Sequence, residues 1–307
     1  MPSRGDVAEA RAHTLVAGDL QAVFLPNHGM LGASLRHRGV ELLRRVEDLE
    51  GAAAKGSTAG IPLLHPWANR LGGRSYRAAG REVTLDPSSP LLHVDERGLP
   101  MHGVPWSRLA WKPTAADRTR LVAGLDWSRE ELLAIFPFPH RVELAVALDP
   151  AGLTMETSLS AGPDGPVPVS FGFHPYLGLS ELPRADWRLA LPAMRRLALD
   201  ERGIPTGEGT PCGAFDGRLG EVGFDDGFAL PEERVSMSLA GAGRRITVEL
   251  VAGYRYVQVF APADKDYVAI EPMTAPTNAL GSGRGLRLVE PGGTCRTTFR
   301  IRIDETD

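Results

Sequence analysis

An all-β fold, built as a large antiparallel β-sandwich with few short helices, follows from three features of this 307-residue chain. Short segments alternate apolar and polar residues with a period of two, turn-forming residues punctuate them, and helical periodicity is weak outside one short stretch. Glycine and proline, at 35 and 25 residues, are numerous enough to furnish many tight turns between short strands.

Residues 1–19 read as a polar lead-in, and the whole of 1–307 as one domain, because no repeat or low-complexity linker divides it. Residues 20–26 and 31–37 are expected to be two strands joined by a turn around Asn27, His28 and Gly29. The next stretch, 40–49, fits either a continuing strand or a short helix, since Leu42, Leu43, Val46 and Leu49 would share a helical face. The clearest hairpin starts at 141–148, with Val142, Leu144, Val146 and Leu148 on one face. It returns through Asp149-Pro150-Ala151-Gly152 into 153–159. Residues 203–223, rich in glycine and polar side chains, are expected to form a long surface loop, and further strands at 245–251, 254–261, 267–271 and 296–303. Strands at this spacing with few helices imply two packed antiparallel sheets.

The formal charge of −4 comes from 38 acidic and 34 basic residues spread without a basic block, which argues against a nucleic-acid partner. Charges run through the first twenty residues, no signal-peptide core is present, and no later run approaches about eighteen apolar residues. A cytoplasmic protein with no membrane partner is expected. Cys212 and Cys295 lie far apart and outside any CxxC, which fits free thiols in a reducing compartment or a single bridge. No two of the eight histidines are one residue apart, and HExxH, a phosphate-cradling glycine loop and GxSxG are all missing, so neither a metal nor another cofactor is expected.

Chemistry concentrates in five stretches. In Ser170-Phe171-Gly172-Phe173-His174-Pro175-Tyr176 an ionisable ring sits among aromatics, and Pro175 biases His174 to extended backbone. Aromatic faces beside polar groups suit a sugar, whose C–H faces stack while its hydroxyls need partners. In Tyr267-Val268-Ala269-Ile270-Glu271-Pro272 an apolar strand ends in a carboxylate that costs stability unless paired or used, and Pro272 biases it as Pro175 does His174. Asn69 and Arg70 follow Trp67 and offer an amide and a rigid guanidinium fork for adjacent ring hydroxyls. His102 precedes Gly103, and Asp225-Asp226 stand between Phe224 and Phe228.

Taken in order, these stretches resemble the aldose 1-epimerase (galactose mutarotase-like) family. Its pattern of Asn-Arg, His-Gly, a GFHPY-like segment, an Asp closely followed by Phe, and a late Glu-Pro matches Asn69-Arg70, His102-Gly103, 172–176, Asp225 with Phe228, and Glu271-Pro272. The resemblance covers about 20–303 and implies a large antiparallel sandwich that needs no cofactor. It implies His174 as general acid at the ring oxygen and Glu271 as general base at the anomeric hydroxyl, with His102 assisting. Asn69, Arg70 and Asp225 would bind hydroxyls, and Gln258 and Trp67 are counted with them. Histidine often follows the aspartate in the family. Here Asp226 and Gly227 follow, which leaves the choice between Asp225 and Asp226 open. The expected activity is interconversion of the α and β anomers of a monosaccharide, by a monomer or homodimer. A non-catalytic sugar-binding protein is the alternative, as is a hexose-phosphate epimerase drawing on Arg74, Arg77 and Arg81.

Overall fold

The computed structural model describes residues 12–45 and 58–306. Two large antiparallel sheets dominate. One has nine strands and places Arg120–Trp127, His140–Asp149, Gly152–Ala161, Thr294–Glu305 and Arg244–Ala252 side by side at its centre. The other has eight. From its edge it runs Pro205–Cys212, Met194–Leu199, Phe224–Ala229, Tyr256–Ala261, Val268–Met273, Gly172–Phe173 and Leu63–Leu64, and Tyr176–Leu177 also pairs with Val268–Met273. Among the described residues the α-helices are two short ones, Glu130–Ile135 and Ala279–Ser282, and neither is long and apolar enough to cross a membrane.

Alternation explains the packing. The 140–161 hairpin pairs Val142 with Leu159, Leu144 with Thr157 and Val146 with Met155, and these side chains are wholly buried. Val257, Val259, Val268 and Ile270 of the eight-stranded sheet belong to the same apolar cluster, and Phe173 meets Phe299 at 5.1 Å between the two sheets. Each fully buried aliphatic or aromatic side chain contributes about 1.5–3 kcal/mol. Burial on one face of each sheet therefore sets the register on the other face as well.

Two expectations are corrected, and a third stretch, open between strand and helix, begins as a strand. The lead-in contains a strand, His13–Ala17, that pairs with Leu20–Leu25, since Leu15 is apolar enough to seat in the core. Residues 203–223 are not a plain loop: Pro205–Cys212 and Phe215–Arg218 are edge strands, mostly exposed, whose composition hides the ladder that holds them. Of 40–49, Val40–Glu41 is a strand, while Val46 and Leu49 lie outside the described residues. Both cysteines are free thiols.

Beneath the loop that carries Asn69, two buried histidines touch, with His65 Nε2 2.9 Å from His140 Nε2. His140 Nδ1 lies 2.6 Å from the Phe138 carbonyl, which can only accept, so Nδ1 holds the proton and Nε2 is bare. His65 Nε2–H therefore donates; a proton on His140 Nε2 would break this bond, and one on His65 Nδ1 would be buried with no partner among the described residues. Trp127 and Phe136 pack against both rings and Phe171 against His65. Burial, then the neighbouring His140, pushes His65 well below its ordinary value, and burial lowers His140 to about 4. Unfolded, both take protons from about pH 6.5 downward. The native state resists, so their contribution is complete above that pH and is lost as pH falls towards the native values. The unfolding free energy from urea titration is expected to drop between pH 7 and pH 5, by up to about 1.4 kcal/mol per pH unit per histidine. In the double variant His65→Leu/His140→Leu, which removes both partners together, that drop shrinks.

Candidate active site

Sheet register builds the site. Gly227 pairs with Gln258, and Gln258 with Glu271. Gly172 pairs with Met273 and Tyr176 with Ala269, so counting inward from either pair sets His174 opposite Glu271. Gly227, Gln258, Glu271 and His174 thus form one row across neighbouring strands. Pro175 and Pro272 each follow a member of the facing pair and bring no N–H, which interrupts the ladder there. Gly172 is required at the approach of the two strands, because a Cβ on it would stand 2.6 Å from the Pro272 carbonyl oxygen.

His174 Nε2 lies 3.1 Å from Glu271 Oε1, both residues are buried, and Tyr176 stacks on the imidazole at 4.0 Å. His174 Nδ1 and Glu271 Oε2 have no partner among the described residues. Burial, then His102, holds the His174 pKa well below its ordinary value. Glu271 is held well above its own, by burial and then the Asp225 carboxylate, with Arg70 opposing. Both effects favour imidazole beside carboxylic acid, a neutral pair carrying one shared proton.

Asn69 and His102 brace each other in left-handed backbone, at φ 57° and 61°, a conformation that non-glycine residues hold only where the surroundings enforce it. His102 N–H donates to the Asn69 carbonyl at 2.9 Å, and Asn69 N–H donates to His102 Nδ1 at 3.2 Å. Since Nδ1 accepts, Nε2 carries the proton of the neutral ring. Burial, then His93 and Arg70, lowers His102 to about 3, so at neutral pH it offers a fixed N–H donor rather than a transferable proton. The Asn69 Oδ1 accepts from Arg70 N–H at 2.8 Å. The guanidinium is aimed by Asp95, whose Oδ2 accepts from Arg70 Nε at 2.5 Å while Oδ1 accepts from the N–H groups of Arg97 and Leu99. Asp95 is buried against its charge, but these bonds outweigh that cost and hold it below its ordinary value.

Strand alternation decides between the two aspartates. Asp225 shares the face of Gln258 and accepts from its Nε2 at 2.7 Å, whereas Asp226 meets Arg196 at 3.4 Å on the other face. His174, Glu271, His102, Asn69, Arg70, Asp225 and Gln258 all line one cavity of about 390 Å³, the size of a small-ligand site. Trp67 does not. It is fully buried in the apolar cluster against Tyr76, so its indole fills the core and is unavailable to a ligand. Arg74, Arg77 and Arg81 are not at the cavity either. They sit on or beside the 75–84 hairpin, where Arg77 pairs with Glu82 and Arg81 lies over Phe138.

Sequence reasoning missed several lining residues. Arg44 reaches the rim, its guanidinium 5.0 Å from the Tyr267 ring centre, and His93 and Thr58 are also in the wall. No local pattern marks them. Thr274 and Asn278, in contrast, stand two and six residues after Pro272 in the segment that carries the Glu-Pro. Thr274 Oγ1 donates to the Phe171 carbonyl at 2.8 Å and Asn278 N–H to the Arg70 carbonyl at 2.9 Å, which ties together three segments that carry cavity residues. Among the described residues no cluster of three His, Cys, Asp or Glu side chains could hold a metal ion.

The model of the aldose 1-epimerase family matches residues 12–302. The chain belongs to that family. The uncharacterized protein YihR of Escherichia coli (strain K12) is 25% identical over 268 residues, 78% of this chain and 80% of that one. Among solved structures, a galactose mutarotase-like protein from Clostridium acetobutylicum superposes with a TM-score of 0.82 at 19% identity, covering 95% of each chain. Galactose 1-epimerase from Lactobacillus acidophilus NCFM gives 0.74 at 14% identity, over 96% of this chain and 95% of that one. At such identities the likeness is one of fold.

In this member of the aldose 1-epimerase family, the Arg70–Asp95 pair is an ion pair at the cavity wall, with side chains 15% and 1% exposed. Asp95→Ala is expected to lower unfolding free energy at pH 7 by on the order of 3 kcal/mol, because it strands a guanidinium. The exposed pair Arg77–Glu82, cut by Arg77→Ala, should cost under about 1 kcal/mol. Urea titrations of the two variants check the contrast.

Proposed function

We propose that this protein is a cofactor-independent aldose 1-epimerase acting on a monosaccharide, with His174 and Glu271 as its acid–base couple. The observation that carries the reading is the 3.1 Å contact between two buried ionisable groups of complementary type in the wall of a polar cavity. Opening a pyranose hemiacetal removes the proton from O1, breaks the bond between C1 and the ring oxygen, and delivers a proton to that oxygen. Transfer of the shared proton from Glu271 to His174 makes a carboxylate for O1 and an imidazolium for the ring oxygen. Opening then returns the couple to its neutral form, the one burial favours, so the desolvated site assists the difficult direction. Rotation about the bond between C1 and C2 and reversal of the two transfers give the other anomer. Each positioned proton-transfer group contributes about 10²–10⁴ in rate.

Arg70, Asp225, Gln258, Asn69 and the His102 N–H donor supply charge-assisted and neutral partners for the remaining hydroxyls. A purely sugar-binding role does not call for an imidazole and a carboxyl in direct contact, both desolvated. The hexose-phosphate reading loses its basic cluster, since Arg74, Arg77 and Arg81 stand away from the cavity.

Polarimetry of freshly dissolved α-sugars is the direct test. Glu271→Gln and His174→Asn are expected to lower kcat by about 10²-fold or more with KM changed less than about tenfold, while Arg70→Ala acts mainly on KM. Near-normal catalysis by Glu271→Gln would remove the carboxyl from the mechanism. The active couple carries one proton, whichever partner holds it, so kcat/KM should be bell-shaped with macroscopic limbs that belong to the pair. The acid limb, where His174 takes a second proton, lies below its ordinary 6.5, and the basic limb, where Glu271 loses its own, lies above its ordinary 4.5. EDTA should leave the rate unchanged, and a loss restored by one divalent ion would contradict the metal-free couple.

A further inference from the structure

A second chamber opens beside the first. About 270 Å³ in volume, it shares Asn69, Arg70, Glu96, Asp225 and Gln258 with the acid–base cavity, so the two adjoin along these residues. The row that holds the acid–base couple leads into it. Arg195 pairs with Ala229 and Arg196 with Phe228, which continues the row from His174, Glu271, Gln258 and Gly227 to Leu197. At strand spacings of about 4.8 Å, those five positions span about 19 Å.

Gly227 is the gap in the row. A Cβ built there would lie 3.1 Å from Gln258 Oε1 and 3.5 Å from Leu197 Cδ1, so any side chain at this position would occupy the junction of the two chambers. On the far side the lining changes character. Leu197, Leu199 and Pro205 offer apolar surface, and Leu199 is one of the few large hydrophobic residues left exposed, at 42%. Arg70 and Arg97 stand there with Glu96, Asp200, Glu201 and Asp225, so the charges are of both signs, with carboxylates the more numerous. An acidic or basic ligand group would meet its own sign as well as its opposite. Hydroxyls on a ring with apolar C–H faces find partners for both.

We infer that the second chamber is a subsite for a neutral glycosyl group, so that the protein takes an aldose carrying a second sugar, with the reducing-end ring over Glu271 and His174 and the appended ring on Leu197 and Leu199. The inference rests on the proposed anomeric chemistry for its catalytic readout, but not for its binding readout. Arg70 and Asp225 line both chambers, so the substituent would have to leave the reducing ring past them, and linkage position is expected to matter.

The probes are glucose, galactose and reducing disaccharides of glucose joined through O2, O3, O4 or O6. With the full chain, one linkage isomer is expected to show kcat/KM about tenfold or more above that of its reducing-end monosaccharide. Leu199→Ala and Leu199→Glu, at an exposed position, should lower that disaccharide value about fivefold or more and leave the monosaccharide value within about twofold. Titration calorimetry on Glu271→Gln measures the same preference without catalysis. If no sugar is turned over yet the favoured disaccharide still binds more tightly, and Leu199→Ala weakens it, the anomerase reading fails and the subsite stands. Equal or weaker turnover and binding of every disaccharide relative to the monosaccharide overturns the subsite, as does an equal effect of the Leu199 variants on both sugars.

Discussion

The contact between His174 and Glu271 is a consequence of strand register. Antiparallel pairing of Gly172 with Met273 and of Tyr176 with Ala269 leaves the two residues opposite each other, and the buried apolar side chains on the other face of the same strands prevent a slip. A shift of one residue would send the imidazole and the carboxyl into the core between the sheets. Stability of the sandwich and geometry of the proposed acid–base couple therefore depend on the same packing, with Phe173 seated against Phe299 while its neighbour His174 turns to the cavity.

Desolvation acts on this couple in a particular way. Two ionisable groups of opposite type, each denied water, settle as a neutral pair with one proton between them, and neither gains nor loses a proton easily. Both directions favour one proton shared within the pair. His102 shows the contrasting use of burial. Its Nδ1 is committed to Asn69 N–H, so the ring cannot shuttle and serves as a directed donor. Behind them, His65 and His140 use the same chemistry purely for structure, at the cost of sensitivity to acid.

The remaining polar groups are aimed by other polar groups. Asp95 orients Arg70, Gln258 holds Asp225, and Asn278 fixes the Arg70 backbone from a segment more than two hundred residues away. Glycine contributes by absence. At position 172 it lets two strands close, and at 227 it leaves the cleft open along the row.

Alternation and turn residues were enough by themselves to predict the sandwich, because hydrophobic period is a local property of the chain, and the resemblance carried by the motifs singled out the family and seven of the cavity residues. Tertiary structure alone decided the rest. Trp67 neighbours Asn69 in sequence yet points into the core, since two residues along irregular backbone say nothing about which side faces the cavity. Asp225 and Asp226 are equivalent on paper and are separated only by the pairing of their strand with 256–261. Arg44, His93 and Asp95 carry no signal of their own, because their roles come from neighbours distant along the chain. The protonation of His174 and Glu271 is likewise a property of what surrounds them, as burial and mutual contact arise only when the sheet assembles.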